Sequence, residues 1–267
     1  MIPFLALVTF QQEPAVRTPS IYRCPTAEAE SKFFDSMVEE SGFDSFCVEP
    51  SPGPKARQLA AGKVKFVKAS MIDTPANLKW RNATIDLVNG KLSPRAWLTA
   101  TKNLHETVHF LSNPKTQALR AATGSVTRRA VSAELLTTAL PGIPCFTADD
   151  IVQTRYLPGP GAYESWILAM NDYLGPMLYM REDFTPMKSA TPTVVRADPT
   201  LGLLILRYSS PKEVMTVYFS NSPKPLPLPA FNLDQLTINV GIDMGVSKPM
   251  LTTNGFFITR ELKGQKT

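Results

Sequence analysis

The sequence predicts an α/β protein whose first part contains parallel strands and whose last part is an antiparallel β domain. Between residues 43 and 146, short apolar runs alternate with helical segments, which is typical of a parallel sheet. From about residue 190 onwards, strand-like runs follow one another without an intervening helix, which favours antiparallel pairing. The 267 residues include 24 prolines, a share that excludes an all-helical bundle. We therefore expect two domains, at residues 1–190 and 191–267.

Four segments carry the signals of helices. Ser93 can cap a helix over residues 93–103, with Pro94 at its first position. Thr26 is the expected cap of a second helix, which has acidic residues in its first turn and ends at Gly42. The predicted helices cover residues 26–41, 93–103, 126–140 and 163–180, the last interrupted at Gly175–Pro176.

Short runs of apolar, β-branched and aromatic residues predict the strands. Those of the first part are followed by proline, glycine or polar residues, as expected at strand ends. The predicted strands are 43–48, 64–67, 107–111 and 143–146 in the first part, and 194–195, 203–208, 214–219, 236–240 and 256–259 in the second.

The distribution of charge argues against a nucleic-acid partner and a membrane span. The chain has 28 basic and 23 acidic residues, but no run of five like charges forms a basic arm. No apolar run reaches the roughly 18 residues that a spanning helix needs. The apolar run at residues 2–10 fits either the core of a signal peptide or a buried strand, so localisation stays open.

The cysteines predict neither a metal site nor a disulfide framework. Cys24, Cys47 and Cys145 are far apart in the sequence and odd in number. Two of them lie in apolar strand-like runs, which indicates buried thiols, although export would allow one disulfide. We expect no cofactor.

The two histidines of the chain form the sequence His105-Glu106-Thr107-Val108-His109, a match to the H-E-x-x-H motif of zinc peptidases. On a helix, His105 and His109 could share a zinc ion while Glu106 acts as the base. Residues 107–111 favour a strand, however, and residues four apart in a strand are separated by about 13 Å. A zinc metallopeptidase is therefore an alternative hypothesis, not the first.

Residues 134–151 read ELLTTALPGIPCFTADDI, residues 110–117 FLSNPKTQ and residues 42–49 GFDSFCVE. These segments resemble parts of the second half of the α-amylase superfamily of glycoside hydrolases, in the same order along the chain. The first resembles its helix, Leu-Pro-Gly-x-Pro turn and eighth barrel strand, the second its seventh strand and the third its fourth. The runs LLILRYSS, EVMTVYFSNSPKPLPL and NGFFITREL resemble the β-sandwich that follows the barrel. The resemblance implies a partial or modified TIM-type β/α barrel followed by a small antiparallel β-sandwich domain.

The resemblance also assigns site residues. Glu49 stands at the position of the family's nucleophile, a carboxylate that these enzymes need beside a protonated acid. The residues that it implies for substrate binding are Asn113, Lys115, Asp149 and Asp150.

Three departures from the family pattern concern the chemistry. Cys47 replaces the arginine that orients the nucleophile, and Pro114–Lys115 replaces a His-Asp pair. Near residues 67–70, where the family's acid is expected, the sequence has Lys68 and no glutamate. A cation in place of a carboxylate repels the positive charge that develops in glycoside cleavage.

The first functional hypothesis is therefore a catalytically inactive homologue that binds a carbohydrate or another protein. The alternative is an active carbohydrate hydrolase that pairs Glu49 with Asp44, Asp73 or another carboxylate. A full barrel needs about 250 residues, and the family's strands one to three have no clear counterpart here. A second protein chain or a second copy could cover an incomplete barrel.

Overall fold

The computed structural model of the protein contains two β-sheets with helices packed against them. It describes residues 18–31, 34–35, 38–39, 43–104, 107–125, 127–147, 150, 173–228, 235–243 and 249–264.

The first sheet has five strands in the order β3-β2-β1-β5-β4, and every pairing in it is parallel. The carboxyl ends of all five strands therefore meet at the same edge of the sheet. The strands are β1 (Thr18–Pro25), β2 (Phe43–Glu49), β3 (Lys65–Phe66), β4 (Val108–Phe110) and β5 (Ile143–Thr147).

The helices of the described residues are short, in keeping with the many prolines. Pro75, Pro94, Pro176 and Pro186 each stand in the first turn of a helix, where the missing N–H costs no hydrogen bond. The helices are α1 (Thr26–Ala29), α2 (Pro54–Ala60), α3 (Ala69–Ile72), α4 (Pro75–Val88), α5 (Pro94–Thr101), α6 (Leu119–Ala122), α7 (Thr127–Ala139), α8 (Gly175–Asp183) and α9 (Pro186–Ser189).

A small apolar cluster fills the inner side of the parallel sheet. It joins Ile21 of β1, Cys47 of β2, Phe110 of β4 and Cys145 of β5 to Ile72 of helix α3. Helix α3 contacts both β2 and β4, so the chain itself fills the side where the edge strands β3 and β4 do not pair. The arrangement is a partial β/α barrel. The predicted cover by a partner chain or a second copy finds no support, because α3 occupies the open side.

The last part of the chain forms an antiparallel sheet in the order β10-β11-β8-β7-β6, with β9 added to β11. The long strand β11 bonds with β8 through its second half and with β9 through its first residues. The predicted sandwich domain is thus built from one curled sheet in the described residues. The strands are β6 (Thr193–Asp198), β7 (Leu203–Ser209), β8 (Glu213–Ser220), β9 (Leu226–Pro227), β10 (Leu236–Asp243) and β11 (Met250–Leu262).

One apolar core connects the two sheets. Side chains of the antiparallel sheet, such as Leu206 and Phe256, belong to the same buried cluster as Phe146 of the parallel sheet. Helix α7 contacts β10 and β11 and is buried at every residue from Ala130 to Ala139. The boundary predicted at residues 190 and 191 stays a prediction, since the apolar core is continuous across it.

Two predicted helices differ from the observed ones. Helix α1 covers four residues of the predicted 26–41, and Thr26 does not cap it, because its hydroxyl donates to the carbonyls of Glu49 and Ser51 at 2.9 and 2.8 Å. Helix α8 of the predicted 163–180 begins at Gly175, with Pro176 in its first turn. Residues 163–172 lie outside the described residues, as does the apolar run at 2–10.

Several predicted helices and strands are confirmed. The predicted helices 93–103 and 126–140 and the strands 43–48, 107–111 and 143–146 are confirmed as α5, α7, β2, β4 and β5, with small differences at their ends. Seven of the described elements were not predicted: strands β1 and β9 and helices α2, α3, α4, α6 and α9. The signals for α4 are present in the sequence, since Thr74 accepts from the N–H of Asn77 at 3.2 Å and Pro75 follows it.

None of the helices in the described part of the chain combines the length and the apolar character needed to cross a membrane.

Glu134, in the middle of helix α7, is a buried acid within the apolar core. Its Oε1 has no hydrogen-bond partner among the described residues. Burial raises the pKa of its carboxyl well above the usual range, and nearby Asp150 raises this pKa further. The folded protein therefore holds a proton that the unfolded chain releases above about pH 4.3. The stability that this proton provides is complete below that pH and is lost as the pH rises through the folded-state pKa.

We predict that Glu134→Gln, which cannot ionise, raises the free energy of unfolding by about 1–2 kcal/mol at pH 8 relative to the natural chain. The difference between the two proteins should shrink towards pH 4. Urea unfolding followed by circular dichroism at several pH values measures it. The same substitution at exposed Glu261 is the control and should change little. A Glu134→Gln protein that is equally or less stable at pH 8 would contradict this explanation.

Candidate functional site

A pocket opens at the carboxyl ends of the parallel strands. Its volume is about 800 Å³. Four strands contribute to it, because β1, β2, β4 and β5 all end there, and the first turn after β1 continues one wall. The lining residues are Arg23, Cys24, Pro25, Glu28, Glu49, Pro50, Ser112, Asn113, Pro114, Thr116, Ala118 and Thr147.

Glu49, the predicted nucleophile position, is the last residue of β2 and lies on the pocket wall. Its side chain is 32% exposed, and its Oε2 accepts a hydrogen bond from Nε of Arg23 at 2.6 Å. Because one side of the carboxylate is held and the other is open, Glu49 can present acceptor atoms to a ligand in a fixed direction.

Arg23, on the neighbouring strand β1, is buried at the base of this wall. Its side chain is 2% exposed. Besides its bond to Glu49, its two terminal nitrogens donate to the two carboxylate oxygens of Asp73 at 2.6 and 3.0 Å. The guanidinium thus neutralises part of two carboxylates, which is the usual condition for burying such a cation.

Asp73 follows helix α3 and connects Arg23 to the end of β4. Its Oδ1 also accepts from the side-chain amide of Asn113 at 2.8 Å, and the ammonium of Lys115 lies 3.7 Å from its Oδ2. Two predicted substrate-binding residues therefore meet one carboxylate. Asn113 is a pocket-lining residue, whereas Lys115 is 79% exposed at the rim.

The charge state of Asp73 follows from these contacts. The hydrogen bonds from Arg23 lower the pKa of the Asp73 carboxyl; burial opposes this effect, and Asn113 and Lys115 lower the pKa further. Asp73 is consequently an anion at neutral pH and cannot donate a proton.

Glu28 brings a further carboxylate to the pocket from helix α1. Its Oε1 accepts from the hydroxyl of Tyr22 at 2.6 Å. Burial raises the pKa of this hydroxyl, and the negative charge of Glu28 raises it again, so the phenol stays protonated and continues to donate. The pocket wall therefore carries the carboxylates of Glu28 and Glu49, which accept from Tyr22 and Arg23, respectively.

Asp150, another predicted substrate-binding residue, is fully buried and is not among the lining residues. Its Oδ1 accepts from the hydroxyl of Ser112 at 2.5 Å, and its Oδ2 accepts from the backbone N–H of Thr147 at 2.9 Å. The carboxylate thus ties the end of β4 to the end of β5, a structural position that the sequence did not indicate. Asp149 lies outside the described residues.

The zinc-peptidase alternative disagrees with the observed backbone. His109 lies in strand β4, not on a helix, and its ring stacks on Trp80 with centroids 4.1 Å apart. Its Nε2 lies 2.8 Å from the carbonyl oxygen of Leu104. His105 and Glu106 are outside the described residues, and the described ones contain no group of three metal-binding side chains. The helical geometry that the motif needs is therefore absent at His109.

Comparison with known proteins gives a result only at the level of structure, since no protein-family model and no curated protein matches the sequence. The cyclic α-maltosyl-(1→6)-maltose hydrolase from Arthrobacter globiformis matches 83% of this chain with a TM-score of 0.54 and 15% identity. A debranching enzyme from Nostoc punctiforme matches 82% with a TM-score of 0.55 and 12% identity. An α-amylase from H. orenii matches 82% with a TM-score of 0.53 and 13% identity.

This chain has the fold of the α-amylase superfamily. The match confirms the predicted barrel and C-terminal β domain at the level of the fold. The chain spans little more than half the length of these structures, since it covers 56%, 58% and 61% of them, respectively.

In this amylase-fold chain, two charged residues of the pocket lining, Arg23 and Glu28, were not predicted as site residues. The resemblance implied an arginine at position 47, where the sequence has Cys47; the structure instead brings Arg23 to Glu49 from the neighbouring strand. Asp73 appeared only as an alternative partner of Glu49. The other alternative, Asp44, lies at the amino end of β2 and accepts from the N–H of Ser20 at 3.2 Å. Asp44 is therefore at the wrong end of the strand to act with Glu49.

A signal for Arg23 existed in the strand that was not predicted. In the run TPSIYRCP, Ile21 and Arg23 share one face and Tyr22 and Cys24 the other. An arginine beside an apolar residue on the inner face of a strand calls for an acidic partner. Predicting β1 would therefore have indicated that Arg23 has an acidic partner, but not which residue that partner is.

We predict that Asp73→Asn lowers the free energy of unfolding by about 1–3 kcal/mol at pH 7, because buried Arg23 loses one of its two anions. The natural chain has the stability from ionised Asp73 above the unfolded-state pKa of about 3.9 and loses it as the pH falls through the lower folded-state pKa. The difference between the proteins should therefore disappear in acid.

Urea unfolding at pH 7 and near pH 3 measures this difference. Asp86→Asn, the same substitution at a half-buried aspartate on helix α4, is the matched control. An Asp73→Asn protein with unchanged stability at pH 7 would show that Asp73 is not needed to bury Arg23.

Proposed function

We propose that this chain binds a carbohydrate in the pocket at the carboxyl ends of the parallel strands and does not hydrolyse it. The observation that carries the proposal is the meeting of Glu49 and Asn113 in one pocket at that edge. In β/α barrels this edge is the one that holds binding sites. The names of the structural neighbours, a maltose-oligomer hydrolase and an α-amylase among them, support a carbohydrate as the ligand.

The chemistry of the pocket wall suits the hydroxyl groups of a sugar. Glu28 and Glu49 supply carboxylate acceptors. The hydroxyls of Thr116 and Thr147 donate within the protein, to the carbonyl of Asn113 and to Asp150, and keep lone pairs that can accept from a ligand. Proline and alanine side chains give the pocket apolar surface between these polar groups. Such a mixture of a few fixed polar groups on an apolar wall is typical of small-molecule sites.

The charges of the same wall argue against glycoside cleavage. Cleavage needs a carboxylic acid that is protonated at neutral pH beside a second, ionised carboxylate. Asp73 is held as an anion by Arg23, and Lys115 adds a second cation beside it. The ammonium of Lys115, where the resemblance implies an aspartate, would also oppose the positive charge that develops on the sugar ring.

An active hydrolase is the second candidate, and one contact favours it. Glu49 is a partly exposed carboxylate held in one orientation by Arg23, as a nucleophile would have to be. Hydrolysis would also need a protonated acid beside Glu49, and Asp73 cannot be that acid because it is ionised at neutral pH. The other proposed role of the scaffold, binding another protein, has no contact in the described residues that favours it.

We predict that the chain binds maltoheptaose and that Glu49→Gln weakens this binding about tenfold, because a neutral amide accepts weaker hydrogen bonds than a carboxylate. Isothermal titration calorimetry measures both affinities. Glu261→Gln, which removes one negative charge from the antiparallel sheet, is the matched control and should bind as the natural chain does. Equal affinities for all three proteins would exclude Glu49 from the binding site. A natural chain that binds no maltooligosaccharide and no starch would overturn the proposal.

We also predict that prolonged incubation with maltooligosaccharides or starch releases no reducing ends above a protein-free blank. The reason is the absence of a protonated acid at Asp73. A reducing-sugar assay across pH 4–8 provides the measurement. Release that depends on the protein and disappears in Glu49→Gln would establish the hydrolase in place of the inactive binder. Release that persists in Glu49→Gln would indicate another site.

A further inference from the structure

Arg23 and Cys47 lie directly opposite each other on adjacent strands. They are register partners in the parallel pairing of β1 with β2, and Glu49 lies two residues beyond Cys47. Residues two apart in a strand point to the same face, so Cys47 and Glu49 share the inner side of β2. The thiol of Cys47 therefore occupies the position from which a longer side chain would reach the carboxylate of Glu49.

The surroundings of Cys47 support this placement. Burial raises the pKa of its thiol to about 11; the positive charge of Arg23 opposes the rise, and the charges of Glu49 and Asp73 add to it. The three charged groups of the pocket base thus all act on the Cys47 thiol. Neighbouring strands are about 4.8 Å apart, a distance that an extended arginine side chain spans.

Arg23 donates hydrogen bonds to both carboxylates. Its Nε donates to Glu49, and its terminal nitrogens donate to Asp73. Without the guanidinium, Glu49 and Asp73 would be two anions at one partly buried edge, and their mutual repulsion would favour protonation or displacement of one. The arrangement of the pocket wall therefore depends on a cation at this point, but not on the strand that supplies it.

We propose that Arg23 is the positioning residue of the pocket, which fixes Glu49 and Asp73 as oriented anions, and that an arginine at position 47 can take its place. The proposal deepens the carbohydrate-binding function above and rests on it for one of its two measurements. The other measurement, titration of the two carboxyl groups, requires no ligand. The two proposals can therefore fail separately.

The test uses an exchange of the two side chains. Arg23→Cys removes the guanidinium, and the double variant Arg23→Cys/Cys47→Arg restores it from β2 while conserving the total volume of the pair. Arg23→Lys keeps a positive charge but removes the fork that bridges the two carboxylates. Lys115, which also lies near Asp73, is unchanged in every variant, so differences between variants report on the arginine.

The first measurement is the pKa of the Asp73 carboxyl, followed by ¹³C NMR of the side-chain carboxyl carbons across a pH titration. In Arg23→Cys this pKa should rise by about one unit or more, since the largest lowering influence is gone. The exchange variant should return it to within about half a unit of the natural value. An unchanged pKa in Arg23→Cys overturns the proposal. So does an exchange variant that folds but titrates like Arg23→Cys.

The second measurement is the affinity for maltoheptaose. Arg23→Cys should bind about tenfold more weakly, Arg23→Lys should also lose affinity, and the exchange variant should recover to within about threefold of the natural chain. If the natural chain binds no sugar, the proposed function fails while the titration still decides the role of Arg23. Circular dichroism and thermal melting check folding first. If Arg23→Cys does not fold, a folded exchange variant with natural titration supports the proposal, and an exchange variant that also fails to fold overturns it.

Discussion

The buried guanidinium of Arg23 joins three parts of the chain that are far apart in sequence. It lies on the central strand of the parallel sheet and binds the last residue of β2 and the carboxylate that follows helix α3. Through Asp73 the same network reaches Asn113 beyond β4. A cation in this position is tolerated only with anions beside it. The ion pairs that balance the charge of Arg23 therefore also fix the positions of Glu49 and Asp73 at the pocket.

The same contacts explain why the fold and the proposed chemistry can be separated. The partial barrel depends on apolar side chains such as Ile21, Phe110 and Ile72, which pack below the pocket. The charged groups lie above them, at the strand ends. There they change the pKa of a neighbouring carboxyl such as Asp73 and have little influence on the strand order. The same scaffold can therefore carry carboxylates in different charge states without a change of fold.

The fold was predictable wherever its signals are local. Ser93 with Pro94 marked helix α5, and β-branched or aromatic runs marked β4 and β5, because capping and strand propensity depend on near neighbours. Thr26 was misread because its hydroxyl is used by the end of β2, a contact between distant residues. The helix over residues 126–140 was predicted as amphipathic and ended by Pro141 and Gly142, whereas in the structure α7 is buried at every residue from Ala130 to Ala139.

The site was predictable only in part. Glu49 and Asn113 follow strands whose order along the chain can be compared with a known family, so the pocket edge could be anticipated. The contact of Arg23 with Glu49 depends on which strands are neighbours, and the sequence does not state that β1 lies between β2 and β5. The inward burial of Asp150 likewise depends on Ser112 and Thr147, which lie on two other segments.

The shared apolar core has a consequence for how the molecule can be divided. The hydroxyl of Tyr208 donates to the carbonyl of Ala139 at the end of α7, and that of Ser132 donates to the carbonyl of Asn254. Removing the antiparallel sheet would expose the apolar side of α7 to water and break both of these hydrogen bonds. We therefore expect the barrel and the sheet behind it to unfold together. An engineer who wished to transplant the pocket would have to move both together.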